Sequence, residues 1–276
     1  MNPLTHAHFV LEIFKGHNLT QDEKDHLIVG SILPDIHITG LIQFQKTHNL
    51  GLDYFHSAKN PLHKFLALGI ISHGEEPKGL DYHTHQGEGY IQKKQGKVLE
   101  LAKKYQNYLG EIDDMTAHHL IEFSMDNLIA EINPLISQQV LTAFQNPKMN
   151  LAITSFSHFL GFSERKNMKI IKLLNNKHVL DYFQNCSLPE TTAKNWLNLT
   201  FYRNMKKGKN LPLREKIKKF TAFSYYNMKR TLNDKQLTQL FEEINNYLRE
   251  DAYSFLSQSQ KEMILLKNGL LQHISH

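Results

Sequence analysis

The amino-acid pattern predicts an all-α protein, a multi-helix bundle of roughly ten helices. Three observations carry this expectation. Apolar residues recur at helical spacing along most of the chain, alternating strand-like runs are scarce, and helix-start residues precede several apolar stripes. In order, Leu27, Ile28, Ile32 and Leu33 form the first clear stripe. Asn60-Pro61 then marks a helix start, because a proline in the first turn lacks only an N–H that would have no partner there. The segment Leu62–Ile71 continues as a strongly apolar helix. Val98, Leu101, Ala102, Tyr105 and Leu109 share one face, with lysines opposite. Asp113 or Asp114 can cap a helix through Met115, Leu120, Ile121 and Leu128. Ser187-Leu-Pro-Glu190 reads as a capping box, and Asn233 as the cap of a helix carrying Leu237, Leu240, Phe241, Ile244 and Leu248. The glycine- and proline-rich stretch Gly74–Gly89 reads as a long loop, and its Glu75, Glu76, Asp81, His83, His85 and Glu88 suggest a functional one.

Composition narrows the class. The chain has 276 residues, 41% apolar and 21% charged, which suits a folded globular protein and excludes a disordered one. The single cysteine, Cys186, excludes an internal disulfide framework and a cysteine-built zinc site. No stretch approaches the roughly 20 apolar residues needed to span a bilayer. The N-terminus lacks the pattern of a secretory signal, so a cytoplasmic setting is expected. Charge divides the chain. Residues 1–150 hold 12 Lys and Arg against 17 Asp and Glu; residues 151–276 hold 20 against 10. A histidine-rich helical core over 1–150 and a basic helical extension over 151–276, packed on the same body, are therefore expected. The basic half is expected mainly as a solvated helix surface, with contact to an anionic surface as the sharper alternative. Trp196, Phe201, Tyr202, Tyr225 and Tyr226 read as core aromatics beside it.

Histidine is the unusual residue: 17 in all, 13 of them in the first 119 positions. On a helix, His118, Glu122 and Asp126 fall on one face, set among apolar residues. Burying such a stripe is costly unless a cation compensates it. His73 ends the apolar helix, and Asp81, His83 and His85 follow in the glycine-rich stretch. Thr5-His6 and Leu33-Pro34-Asp35 place two further groups at the ends of apolar segments. Imidazole with carboxylate suits zinc, and there are enough ligands for one to three ions. Iron, manganese or nickel would also accept this ligand set. Clustered ions of this kind suit phosphoester cleavage.

Four segments, Thr5-His6, Leu33-Pro34-Asp35, Leu68-Gly69-Ile70-Ile71-Ser72-His73 and His118-xxx-Glu122-xxx-Asp126, resemble the zinc-dependent phospholipase C family, whose metal core is similar to that of fungal single-strand nucleases. The resemblance implies an all-α, phospholipase C-like fold that binds zinc and hydrolyses a phosphoester, either a small molecule or a lipid head group. It implies ligand roles for His6, His73, His118 and Glu122. Asp35 takes the water-activating position, as bridging ligand or general base, and Asp126 orients His118 or Glu122. A further histidine ligand is assigned to His56 in preference to His48. The family's aspartate four residues beyond His73 falls on Pro77, so Asp81 or Glu76 takes its place, and the next histidine is His85 or His83. Two other classes compete. A nucleotide phosphohydrolase of the His-Asp type would need a His-Asp dipeptide, which the sequence lacks. A non-enzymatic metal-binding protein would use the same ligands without turnover.

Overall fold

Helix starts are set where a side chain satisfies the first free backbone N–H groups, and the structure shows this at several of the expected places. The computed structural model describes residues 2–39, 42–109, 112–196 and 230–274. Asn60 Oδ1 accepts from Leu62 N at 2.9 Å with Pro61 inside the first turn, and Asp113 Oδ1 accepts from Thr116 N at 2.7 Å. A cap of this kind contributes about 1 kcal/mol. A further capping box, Thr20 with Glu23, starts a helix the apolar pattern alone did not delimit.

Among the described residues the elements are helical, with no strand. They run α1 (Pro3–Ile13), α2 (Gln21–Ile32), a tight 3-10 segment (Leu33–Thr39), α3 (Phe44–His48), α4 (Gly51–Ser57), α5 (Pro61–His73), α6 (Leu80–His85), α7 (Tyr90–Lys103), α8 (Gln106–Leu109), α9 (Asp114–Ile132), α10 (Ile136–Gln145), α11 (Met149–Phe159), α12 (Glu164–Leu174), α13 (Lys177–Asn185), α14 (Arg230–Leu248) and α15 (Ala252–Leu271). This exceeds ten because several are one or two turns long.

Three local expectations change. The stretch Gly74–Gly89 is not loop throughout: α6 forms inside it, with Leu80 and Asp81 buried. Gly79 permits the tight return, since a Cβ there would stand 2.5 Å from the Ile71 carbonyl oxygen. A helix does begin at residue 189, but the Ser187 hydroxyl donates to Gln184 O instead of capping it. Asn233 falls inside α14, which already includes Arg230, so it does not cap that helix.

The centre of the fold is the pair α2 and α5. Gly30 and Gly69 face each other across it. A Cβ on Gly30 would lie 2.1 Å from Leu66 O, and one on Gly69 2.3 Å from Leu27 O. Only glycine at both positions lets the two backbones touch, and this contact brings the last turn of α5 against Ser31.

Helix α1 crosses this pair and is held at both ends by distant residues. Asn2 at its N-cap makes no side-chain cap bond; instead Asp126 Oδ1, from α9, accepts from Thr5 N and Thr5 Oγ1, both at 2.8 Å. At the other end the buried Lys267 of α15 donates to Ile13 O at 3.0 Å.

The back half packs on the same hydrophobic core, which runs from Phe9 and Leu27 through Phe123 to Phe241 and Leu256. Near the change of charge sign, Asn146 donates to Asp25 Oδ2 at 2.7 Å and to Asp22 at 3.0 Å, tying α10 to α2. Trp196 is buried against Phe123 and Phe241. Phe201, Tyr202, Tyr225 and Tyr226 lie outside the described residues. No helix among the described residues is long and apolar enough to cross a membrane.

Candidate metal centre

Six elements converge where α5 ends. Helix α1 brings His6, the 3-10 segment Asp35 and His37, and α3 His48. Helix α5 brings His73, α6 Asp81 and His85, and α9 His118 and Glu122. The ligand-type atoms fall into three close groups: His6, His73 and Asp81; Asp35, His37 and His48; and His85, His118 and Glu122.

His73 of the first group and His48 of the second show how the fold orients the ligands. His73 Nδ1 lies 2.6 Å from Ser31 O and His48 Nδ1 lies 3.0 Å from Phe44 O. A carbonyl oxygen only accepts, so the His73 ring keeps a proton on Nδ1 and turns Nε2 inward; His48 Nδ1 is held between Phe44 O and the Thr47 hydroxyl at 2.8 Å, which likewise leaves Nε2 facing inward. A hydrogen bond of this type to the far nitrogen is the usual partner of a metal-binding imidazole. The two Nε2 atoms face each other at 3.2 Å, and both face Asp81 Oδ2, at 3.2 Å from His48 and 3.3 Å from His73. His6 stacks on His73 with centroids 3.8 Å apart and reaches Asp81 Oδ1 at 3.4 Å. Phe44, one turn before His48, stacks on it at 3.8 Å.

Asp81 joins this group to the third. Its Oδ2 is 3.6 Å from His85 Nδ1, one helical turn along α6. His85 Nε2 is 3.8 Å from Glu122 Oε1, and His118 Nε2 is 3.2 Å from the same oxygen. The His85 and His118 rings stack at 4.9 Å.

Charge follows from these neighbours. Burial opposes ionisation of Asp81, but the His73 charge and hydrogen bonds from His48, His6 and His73 hold its carboxyl well below the usual range. Burial also opposes charge on His73, and Asp81 reverses this and raises its pKa. His6 is lowered to about 4, by burial and then by the charge on His73. For His85, burial is outweighed by Asp81 and Glu122, which raise it to about 10. Burial disfavours the Glu122 charge, yet hydrogen bonds from His118 and His85 help hold it well below the usual carboxylate range. Three buried atoms here have no hydrogen-bond partner, His6 Nδ1, Asp35 Oδ2 and His85 Nε2.

The donor set fits a divalent transition metal. Bonds of 2.0–2.1 Å in tetrahedral geometry place neighbouring ligand atoms about 3.4 Å apart. The His48, His73, Asp81 triangle has edges of 3.2, 3.2 and 3.3 Å. Two inward nitrogen lone pairs at such a distance repel unless a proton or a cation lies between them.

Of the sequence-derived residues, the structure brings together His6, Asp35, His73, Asp81, His85, His118 and Glu122. It corrects His56. That side chain is exposed at the end of α4 with its ring against Phe55, and His48 turns inward instead. Glu76 is exposed, which leaves Asp81 in the centre. His83 joins none of these groups, and the charges acting on it are Glu262 and Lys78. Asp126 does not orient His118 or Glu122. It holds the start of α1, the helix that carries His6, and burial raises its pKa to about 8. His37 was missed. It packs edge-on against Phe44 and His48 at 5.0 Å. The available signal was Phe44 one turn before His48.

Fold and site together define a class: an all-α protein with a buried cluster of imidazole and carboxylate groups. Comparison with family models, with curated proteins and with solved structures returns no match for this chain.

Proposed function

We propose that the chain is a metal-dependent phosphoester hydrolase, phospholipase C-like in its ligand set. The observation that carries this is the near-equilateral His48, His73, Asp81 triangle, joined through Asp81 to a second set of ligands at His85, His118 and Glu122. Zinc is the first choice of metal, and one to three ions can be held. Bound there, the ions would act as Lewis acids and lower the pKa of nearby water.

The chain's own residues divide the remaining work. His6, His48, His73, His118 and Glu122 would hold the ions, with Asp81 within reach of both groups. Asp35 keeps one buried carboxylate oxygen without a partner beside them. In this reading Asp35 Oδ2 takes a proton from water as the new P–O bond forms and the ester P–O bond breaks, and that proton then passes to the departing alkoxide, which leaves as the alcohol. The substrate is a phosphoester small molecule or a lipid head group. The basic residues of 151–276 would draw anionic material towards the molecule by long-range field.

The test is hydrolysis of a chromogenic phosphodiester by the zinc-loaded chain, with and without chelator. Activity is expected only in the loaded form. Asp35→Asn should keep bound zinc and lose at least about 100-fold in kcat, the usual range for a general base. Full activity in Asp35→Asn or His118→Ala would sink the proposal. A metal-binding protein without turnover predicts bound zinc and no hydrolysis in any form.

A further inference from the structure

The ligand groups differ in their access to water. The His48 and His73 side chains are 0% exposed, whereas His85 and His118 are 22% and 27% exposed. Release of an ion needs a ligand to swing away and water to take its place. In the inner group that motion is blocked. Each imidazole is tied to a backbone carbonyl, His73 to Ser31 and His48 to Phe44, and each is covered by a stacked ring, His6 or Phe44. Moving either would break a buried hydrogen bond, and moving His73 would also disturb the contact between α2 and α5. In the outer group, His85 and His118 stack on each other and are partly exposed, while Glu122 and His85 Nε2 are buried. A side chain there can rotate outward without disturbing the helix pair.

We propose that the centre holds two kinds of ion: one retained at His48, His73 and Asp81, and one exchangeable at His85, His118 and Glu122, which fills and empties with the free metal concentration. The proposal rests on the metal-centre reading above. It adds a regulatory property, because the outer ligand set responds to metal supply while the inner one does not.

The experiment loads the full chain with zinc and mixes it with excess chromogenic chelator, following zinc release in time. Two phases are expected, the faster at least about tenfold quicker, in line with the 10–100-fold cost of losing outer-shell support at a metal site. The fast phase should be absent in His118→Gln and in Glu122→Gln, with the slow phase unchanged. His118 is partly exposed, so its variant should fold, and helical circular dichroism checks this. A single phase, or a fast phase that survives in both variants, overturns the proposal and leaves the hydrolase reading standing. A chain that binds no zinc removes both. Two phases without phosphodiester turnover uphold the split and remove only the hydrolase.

Discussion

Helices α5 and α9 deliver ligands to the same centre by different physical means. His73 is the last residue of α5, and its aim depends on Ser31 of α2 and on the glycine crossing at Gly30 and Gly69. His118 and Glu122 sit one turn apart within α9, so helix geometry alone puts them on one face, 3.2 Å apart. One ligand is therefore vulnerable to changes far from the metal, whereas the other pair is sensitive mainly to its own residues.

The largest expected effect tests the α5 side. Gly69→Ala forces a Cβ to 2.3 Å from Leu27 O and should cost about 3 kcal/mol in urea unfolding, with weakened zinc binding. Gly96→Ala in α7 is the control. Its Cβ would meet nothing within 4 Å, and the change should stabilise by about 0.5–1 kcal/mol. If both glycines respond alike, the close crossing is not what aims His73.

On the α9 side the sharper probe is protons. His85, raised to about 10 by Asp81 and Glu122 against burial, is charged at pH 8 in the metal-free chain. A ligating imidazole must be neutral, so zinc loading at pH 8 should release a proton that His85→Gln does not release. The stability that this charge contributes to the metal-free fold is fully present below the ordinary value of 6.5 and is lost as pH rises through about 10. Equal proton release in weakly buffered solution from both proteins would refute the assignment.

Smaller effects separate the supports. Asp126→Ala strips the start of α1 of its acceptor, leaving Thr5 N and Oγ1 buried without it; about 2 kcal/mol should be lost. Asn60→Ala, which removes only the cap of α5, should cost about 1 kcal/mol in thermal unfolding and leave zinc affinity unchanged. His56→Ala should change stability by less than about 0.5 kcal/mol and keep zinc stoichiometry; loss of an ion would reinstate His56 as a ligand.

Legibility in the sequence followed the range of the interaction. The α9 stripe, the Asn60-Pro61 start and the Asp113 cap are set within one or two turns, and all were visible. The choice between His48 and His56 was not. Both lie at the ends of short helices, and only the carbonyl of Phe44 and the packing of α3 beside α5 turn one inward. Asp126 was placed correctly in the stripe and given the wrong partner, because Thr5 is 121 residues away in the chain. The helix α6 was hidden by its glycine-rich flanks, although Asp81 and His85 were already four apart.

By itself the sequence determined the helical class, the helix starts at Asn60 and Asp113, the stripe on α9 and the concentration of imidazole in the first half. Those follow from propensity and a 3.6-residue period, which act locally. The tertiary structure decided which histidines meet, which nitrogen of each ring faces inward, and which groups are sealed from water. Those depend on contacts between residues far apart in the chain, above all two glycines that let one helix backbone rest on another.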